Sequence, residues 1–203
     1  MIDLQKDGGL WTITIRRPDK ANSLTKAMLE QLADIAETAV DAKVLVITGE
    51  GRVFSAGADL DEARAGLATD PVWERLSGAV AAAPCLTIAA LNGTLAGVAF
   101  GMALACDLRI AVPTAKFFYP VMKLGFLPQP SDPARMRALI GPARTKLILM
   151  GGQKITADQA LEFGLVDMLV SGDKMTETIG DLAADVLDAK PEILSGIKMM
   201  CNG

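Results

Sequence analysis

The sequence predicts an α/β fold, on three observations from its first fifty residues. Leu10–Ile15 alternates apolar and polar side chains with period two and ends in Arg16-Arg17-Pro18, as a half-buried strand does. Thr25 fits a helix N-cap, and Met28, Leu29, Leu32, Ile35, Ala36 and Ala39 then recur at helical spacing through Val40. Val44-Leu45-Val46-Ile47 is a β-branched run closed by Gly49-Glu50-Gly51, the pattern of a strand covered on both faces. Strand, helix, strand is an α/β opening.

The later elements follow in order. Ser55-Ala56-Gly57-Ala58-Asp59-Leu60 leads from Phe54 into a polar helical segment, and a second helix pattern runs over Val72–Ala82. Residues 85–90 read as a buried strand that passes straight into Asn92-Gly93-Thr94-Leu95-Ala96-Gly97, a turn of small residues. Residues 98–106 are apolar all round, which predicts a helix enclosed on every side. Short strands are expected at 108–112 and 116–119, helices at 132–140, 143–150, 157–163, 175–187 and 191–200, and a late strand at 164–170.

Composition limits the function. The chain has 203 residues, 51% hydrophobic and 22% charged, enough apolar material for one sizeable core, and no repeat or linker divides it. A net charge of −4 with scattered basic residues argues against nucleic acid as a partner. The count of histidines is 0, which removes Ser-His-Asp and Cys-His dyads, HExxH zinc sites and any imidazole base. Three cysteines (Cys85, Cys106, Cys201) are too few and too far apart for a disulfide framework or a metal site, and they read as reduced, buried thiols. The expectation is a cytoplasmic protein without a secretory leader, a metal or a membrane span. Residues 78–106 lack charge, but Pro84 and Asn92-Gly93 break that stretch into pieces too short to cross a bilayer.

The chemistry is expected at two segments of one design, a buried strand ending in small residues that turns into a helix. These are the segments around Ala58 and around Val98. The first N–H groups of a helix lack intrahelical partners and carry partial positive charge, so two such ends aimed at one point would form an oxyanion hole. The same glycines and alanines also permit close strand–helix packing, and spacing alone leaves both readings open.

Many short motifs in one order resemble the crotonase (enoyl-CoA hydratase/isomerase) superfamily. They are Arg17-Pro18-Asp19-Lys20-Ala21-Asn22-Ser23-Leu24, the stretch from Val46 through Gly49-Glu50-Gly51 to Ser55-Ala56-Gly57-Ala58-Asp59-Leu60, Ile88-Ala89-Ala90-Leu91-Asn92-Gly93, and Ala103 to Ala111 with Cys106-Asp107-Leu108-Arg109. Ala115-Lys116-Phe117, Lys123-Leu124-Gly125 with Pro128, Gly141-Pro142-Ala143-Arg144, Ile155 to Ala160 and Gly164-Leu165-Val166-Asp167 continue the series. The resemblance implies a crotonase-like ββα spiral core over 1–170 with a helical C-terminal region over 171–203, forming one domain and assembling as a homotrimer or hexamer. It implies fatty acid metabolism and an acyl-CoA thioester as substrate, with no separate cofactor. Carried over residue by residue, the two carbonyl-holding N–H groups fall at Ala58 and Val98. Ala56, Leu60, Gly97, Phe118 and Val121 line the substrate path, and Lys20 could meet a CoA phosphate, although a lysine there also suits plain solvated surface.

Departures from the family pattern bear on the reaction. Where hydratases carry two glutamates that hold the adding water, this chain has Gly101 and Val121, neither able to transfer a proton. Phe118 replaces a small residue and Gln129-Pro130-Ser131-Asp132-Pro133 replaces a glycine-rich turn, so a smaller, more apolar acyl pocket is expected. Asp132 could serve as acid or base, or could simply N-cap the next helix with Pro133 at its first position. Tyr119 could donate a phenolic proton, or pack with its hydroxyl at an edge. The C-terminus stops short of the usual family length. The resulting expectation is an acyl-CoA-binding protein that stabilises a thioester enolate, with isomerisation, thioester hydrolysis or decarboxylation favoured over hydration. Its rival is an inactive crotonase scaffold kept for assembly or interaction.

Overall fold

The computed structural model describes residues 1–202. In chain order the elements are β1 (Ile2–Asp7), β2 (Leu10–Ile15), α1 (Lys26–Glu37), β3 (Val44–Gly49), β4 (Val53–Ser55), α2 (Leu60–Arg64), α3 (Val72–Ala82), β5 (Leu86–Leu91), β6 (Thr94–Ala96), α4 (Phe100–Ala105), β7 (Leu108–Ala111) and β8 (Lys116–Phe118). They are followed by α5 (Val121–Leu124), α6 (Asp132–Leu149), β9 (Ile155–Thr156), α7 (Ala157–Phe163), β10 (Met168–Leu169), α8 (Met175–Asp188) and α9 (Pro191–Asn202).

The strands form a six-stranded sheet in the order β1-β2-β3-β5-β7-β10 and a four-stranded sheet in the order β4-β6-β8-β9. β3 and β4, β5 and β6, and β7 and β8 each pair a long strand in the first sheet with a short one in the second, and a helical return follows. That repeat is the ββα spiral. The central strands β2, β3, β5 and β7 run parallel, so both faces need cover, and Val44, Leu45, Val46 and Ile47 are all buried. All six residues of α4 are buried, as an all-apolar helix requires. The Thr25 hydroxyl caps α1 by accepting from the Met28 N–H at 3.3 Å.

Several expectations need correction. β1 was not foreseen, because only Ile2 is buried and the strand's outer half is solvated polar residues. Residues 94–96 are not a turn but β6, a strand too short to show a period. Helix α1 ends at Glu37, and Ala39–Asp41 is a separate 3-10 turn that leaves Val40 exposed. The late strand contracts to Met168–Leu169, and α5 was read as loop. The two helices expected at 132–140 and 143–150 meet end to end as α6, broken where Gly141 takes φ 75°, ψ 168° ahead of Pro142. Cys85 and Cys106 are buried but Cys201 is exposed. Among the described residues, no helix is long and apolar enough to cross a membrane.

Candidate functional site

The two strand-turn-helix segments meet in space. β4 and β6 pair in parallel, so the turns that follow them, Ala56-Gly57-Ala58 and Gly97-Val98, lie against each other. Gly57 has φ 94° and Gly97 φ 61°, conformations that favour glycine, and a β-carbon on Gly57 would lie 3.1 Å from the Ala96 carbonyl oxygen and 3.5 Å from the Val98 nitrogen. The packing and the backbone geometry therefore both require glycine at Gly57.

Two backbone donors are left over. Leu24 bridges this turn by donating to the Gly57 carbonyl and accepting from the Asp59 N–H, each at 2.8 Å, so the intervening Ala58 N–H points away from Leu24 and has no hydrogen-bond partner among the described residues. Val98 is the second residue of the 3-10 turn Gly97–Ala99, too early to have an intrahelical acceptor, and its N–H is likewise unpartnered. The turn around Ala58 is held rigidly from behind. Buried Asn22 donates from Nδ2 to the Glu50 and Val53 carbonyls at 2.9 and 2.7 Å, and the Ser55 hydroxyl donates to the Asn22 carbonyl and accepts from the Gly57 N–H. Asp59 caps α2 by accepting from the Asp61 and Glu62 N–H groups. It also pairs with Arg17 at 2.8 Å, and that guanidinium, aided by the N–H groups, holds the Asp59 carboxyl below the usual carboxylate range.

A cavity of about 290 Å³ opens in front of these turns. Ala56, Ala58, Gly97, Val98, Phe118, Tyr119 and Val121 line it, and Leu60 stands at its mouth with Arg64, Leu124, Phe126 and Leu127. The wall is largely apolar, and among the described residues it carries no carboxylate. A larger crevice of about 810 Å³ lies beneath α9 and contains none of the sequence-predicted residues. Among the described residues, no group of three or more His, Cys, Asp or Glu is placed to hold a metal ion.

Eight of the expected residues, Ala56, Ala58, Leu60, Gly97, Val98, Phe118, Tyr119 and Val121, line this one cavity. Lys20 does not. It sits exposed in the 3-10 turn Pro18–Lys20, and the cation at the mouth is Arg64. Arg64, Phe126 and Leu127 gave no signal in the sequence, because exposed apolar and basic residues on α2 and after α5 look like ordinary surface.

Asp132 requires a correction. It is not the N-cap of α6: Ser131 occupies that position without a side-chain capping bond, and Asp132 is the first helical residue, fully buried. Its Oδ2 accepts from the Tyr119 hydroxyl at 2.9 Å and its Oδ1 has no hydrogen-bond partner among the described residues. Burial, together with the nearby charge of Glu74, pushes the Asp132 carboxyl up to about 7, against the lowering effects of the Tyr119 hydrogen bond and Arg135. The Tyr119 phenol is raised in turn, by burial first and then by Asp132. Its ring stacks on Phe100 with centroids 5.5 Å apart.

Comparison with known proteins agrees with this architecture. The profile of the family described as enoyl-CoA hydratase/isomerase matches residues 5–202. The probable enoyl-CoA hydratase echA6 of Mycobacterium leprae is 35% identical over 176 residues, 83% of this chain and 71% of that protein. Among solved structures, Pseudomonas aeruginosa DspI superposes with a TM-score of 0.91 at 31% identity, covering 100% of this chain and 86% of that one. A Thermobifida fusca YX protein in complex with CoA superposes with a TM-score of 0.88 at 28% identity, covering 98% of this chain and 83% of that one.

Proposed function

The chain belongs to the enoyl-CoA hydratase/isomerase family, and on that premise we propose that it binds an acyl-CoA thioester in the cavity before Ala58 and Val98 and stabilises the enolate derived from it. The observation that carries this reading is the pair of unpartnered N–H groups on adjacent turns at the wall of one apolar cavity. A thioester carbonyl oxygen gains negative charge as the enolate forms. Fixed backbone donors stabilise that charge more strongly in an apolar pocket than in water, and removing one such donor typically costs about 10²–10³-fold in rate. The CoA-bound structure of the Thermobifida fusca relative supports a CoA thioester as the ligand class.

Hydration is disfavoured. On the motif resemblance, Gly101 and Val121 fall where hydratases carry their two glutamates, and among the described residues no carboxylate lines the cavity to hold an attacking water. Isomerisation and decarboxylation pass through the enolate and thioester hydrolysis through a tetrahedral oxyanion; each places negative charge on the thioester oxygen, where the two N–H groups can stabilise it, without that glutamate pair. The bare wall also favours a second reading, a scaffold that binds an acyl-CoA without turning it over.

Calorimetric titration with CoA and short acyl-CoAs, followed by a crotonyl-CoA hydration assay, tests these statements. The expected result is saturable acyl-CoA binding with little hydration. Absence of heat and of any thermal shift at millimolar ligand contradicts the binding, and hydration at rates normal for the family contradicts the replacement of the glutamate pair. Binding without turnover of any of the three reaction types supports the scaffold.

A further inference from the structure

The wall of the cavity lacks a carboxylate, yet one stands immediately behind it. Asp132 is fully buried, and its Oδ1 faces Gly101 so closely that a β-carbon there would lie 2.9 Å from it. No side chain at residue 101 is compatible with Asp132 where it stands, so the glycine and the aspartate form one arrangement. Oδ2 receives the hydroxyl of Tyr119, and Tyr119 lines the cavity beside Val98. The tyrosine is held from three sides: Phe100 stacks on its ring, Asp132 accepts its proton in a hydrogen bond, and the Gln129 N–H donates to its oxygen at 3.4 Å.

We propose that Tyr119 and Asp132 are the acid–base pair of this site, with the carboxyl supplied from α6 into the space left by Gly101 instead of from α4. This deepens the enolate reading given above and rests on it. Tyr119 is the catalytic residue, because it borders the cavity, and Asp132 is a positioning residue that acts through it.

The step is a coupled double transfer. The C–H bond beside the thioester carbonyl breaks and its electron pair enters the enolate. A new O–H bond forms at Tyr119 Oη as the phenolic proton passes to Oδ2 of the Asp132 carboxylate. The negative charge leaves Asp132 and appears on the thioester oxygen, opposite the Ala58 and Val98 N–H groups. Reversal of the relay onto the γ-carbon of a 3-enoyl thioester regenerates the carboxylate and completes a shift of the double bond. No oxidant, water or metal enters the balance.

The charged and titratable groups around Asp132 are few. Tyr119 faces it from the segment after β8. Glu74 on α3 accepts from the Ser131 N–H and hydroxyl, and Arg135 on α6 donates to that same hydroxyl. α4 contributes only Gly101 and apolar neighbours to this contact. Burial and Glu74 hold the Asp132 carboxyl at about 7, so it changes protonation state near neutral pH.

The test uses 3-hexenoyl-CoA isomerisation for the chemistry and hexanoyl-CoA calorimetry for binding, with the intact chain, Asp132→Asn and Tyr119→Phe. For the unmodified protein, the isomerisation rate is expected to rise with pH through a single ionisation near neutrality. Both variants are expected to keep hexanoyl-CoA affinity within about threefold, lose at least about 10²-fold in rate, and lose that pH limb. Tyr119→Phe keeps the stacked ring, so it tests the relay even if Asp132→Asn folds poorly. An unmodified protein that binds but does not isomerise, or variants that retain the rate and its pH limb, overturn the pair. An unmodified protein that fails to bind hexanoyl-CoA overturns the enolate reading beneath it.

Discussion

Asp132 Oδ1 lies 2.9 Å from the point where a β-carbon on Gly101 would be, so the carboxyl of one helix fills the side-chain space of another. The two positions should therefore be energetically coupled. Gly101→Ala is expected to destabilise the protein by about 1–3 kcal/mol through overpacking, and to cost clearly less in an Asp132→Ala background. Urea unfolding of the four members of this double-mutant cycle measures the coupling. Additive effects would show that Asp132 moves aside freely.

A buried carboxyl pushed up to about 7 also gives the fold a pH dependence of definite sign. The folded protein holds the Asp132 proton more tightly than the unfolded chain, whose carboxyl ionises near 3.8. Stability from this group is full below that value and is lost as pH rises from about 4 to about 7, by an amount on the order of a few kcal/mol. Asp132→Asn should flatten the curve, which urea midpoints at acidic and mildly alkaline pH will reveal. A slope unchanged by the substitution would mean that the carboxyl titrates as though exposed.

Gly57 tests the union of the two turns. With φ 94° and a would-be β-carbon 3.1 Å from the Ala96 oxygen, Gly57→Ala is both strained and crowded. A loss of about 1–3 kcal/mol is expected, and at least about a tenfold loss of acyl-CoA affinity because the Val98 N–H is displaced. Thermal unfolding and calorimetry check the two effects separately. Unaltered affinity would mean that the turns act independently.

Much of the fold was legible where side-chain pattern and burial coincide. Leu10–Ile15, Val72–Ala82 and Ala157–Phe163 have the bounds their periodicity implied, because each buries one coherent face or stripe. β4 and β6 were harder, since a three-residue strand has no measurable period and shows itself only by its partner in the second sheet. At the site, motif order pointed to the residues of the cavity wall. What it left open depends on contacts between distant segments. Asp132 followed by Pro133 reads either as a helix cap or as an acid–base group, and only the approach of Tyr119 and Gly101 separates the two readings.

Val121 offers a gain-of-function test. It is buried on the cavity wall, so Val121→Glu would put a carboxyl there with its pKa raised by burial toward the range useful for proton transfer. Crotonyl-CoA hydration is expected to increase by at least about tenfold over the unmodified protein, read from loss of the enoyl absorbance. No increase in a variant that still binds acyl-CoA would mean that the missing carboxylate is not what limits hydration.

The most direct measurement of the central claim is a crystal structure of the protein with butyryl-CoA. The account predicts the thioester oxygen within about 2.7–3.1 Å of both the Ala58 and Val98 nitrogens, with the acyl chain toward Tyr119 and Val121. A thioester bound elsewhere, or an oxygen in reach of only one of the two nitrogens, would contradict it.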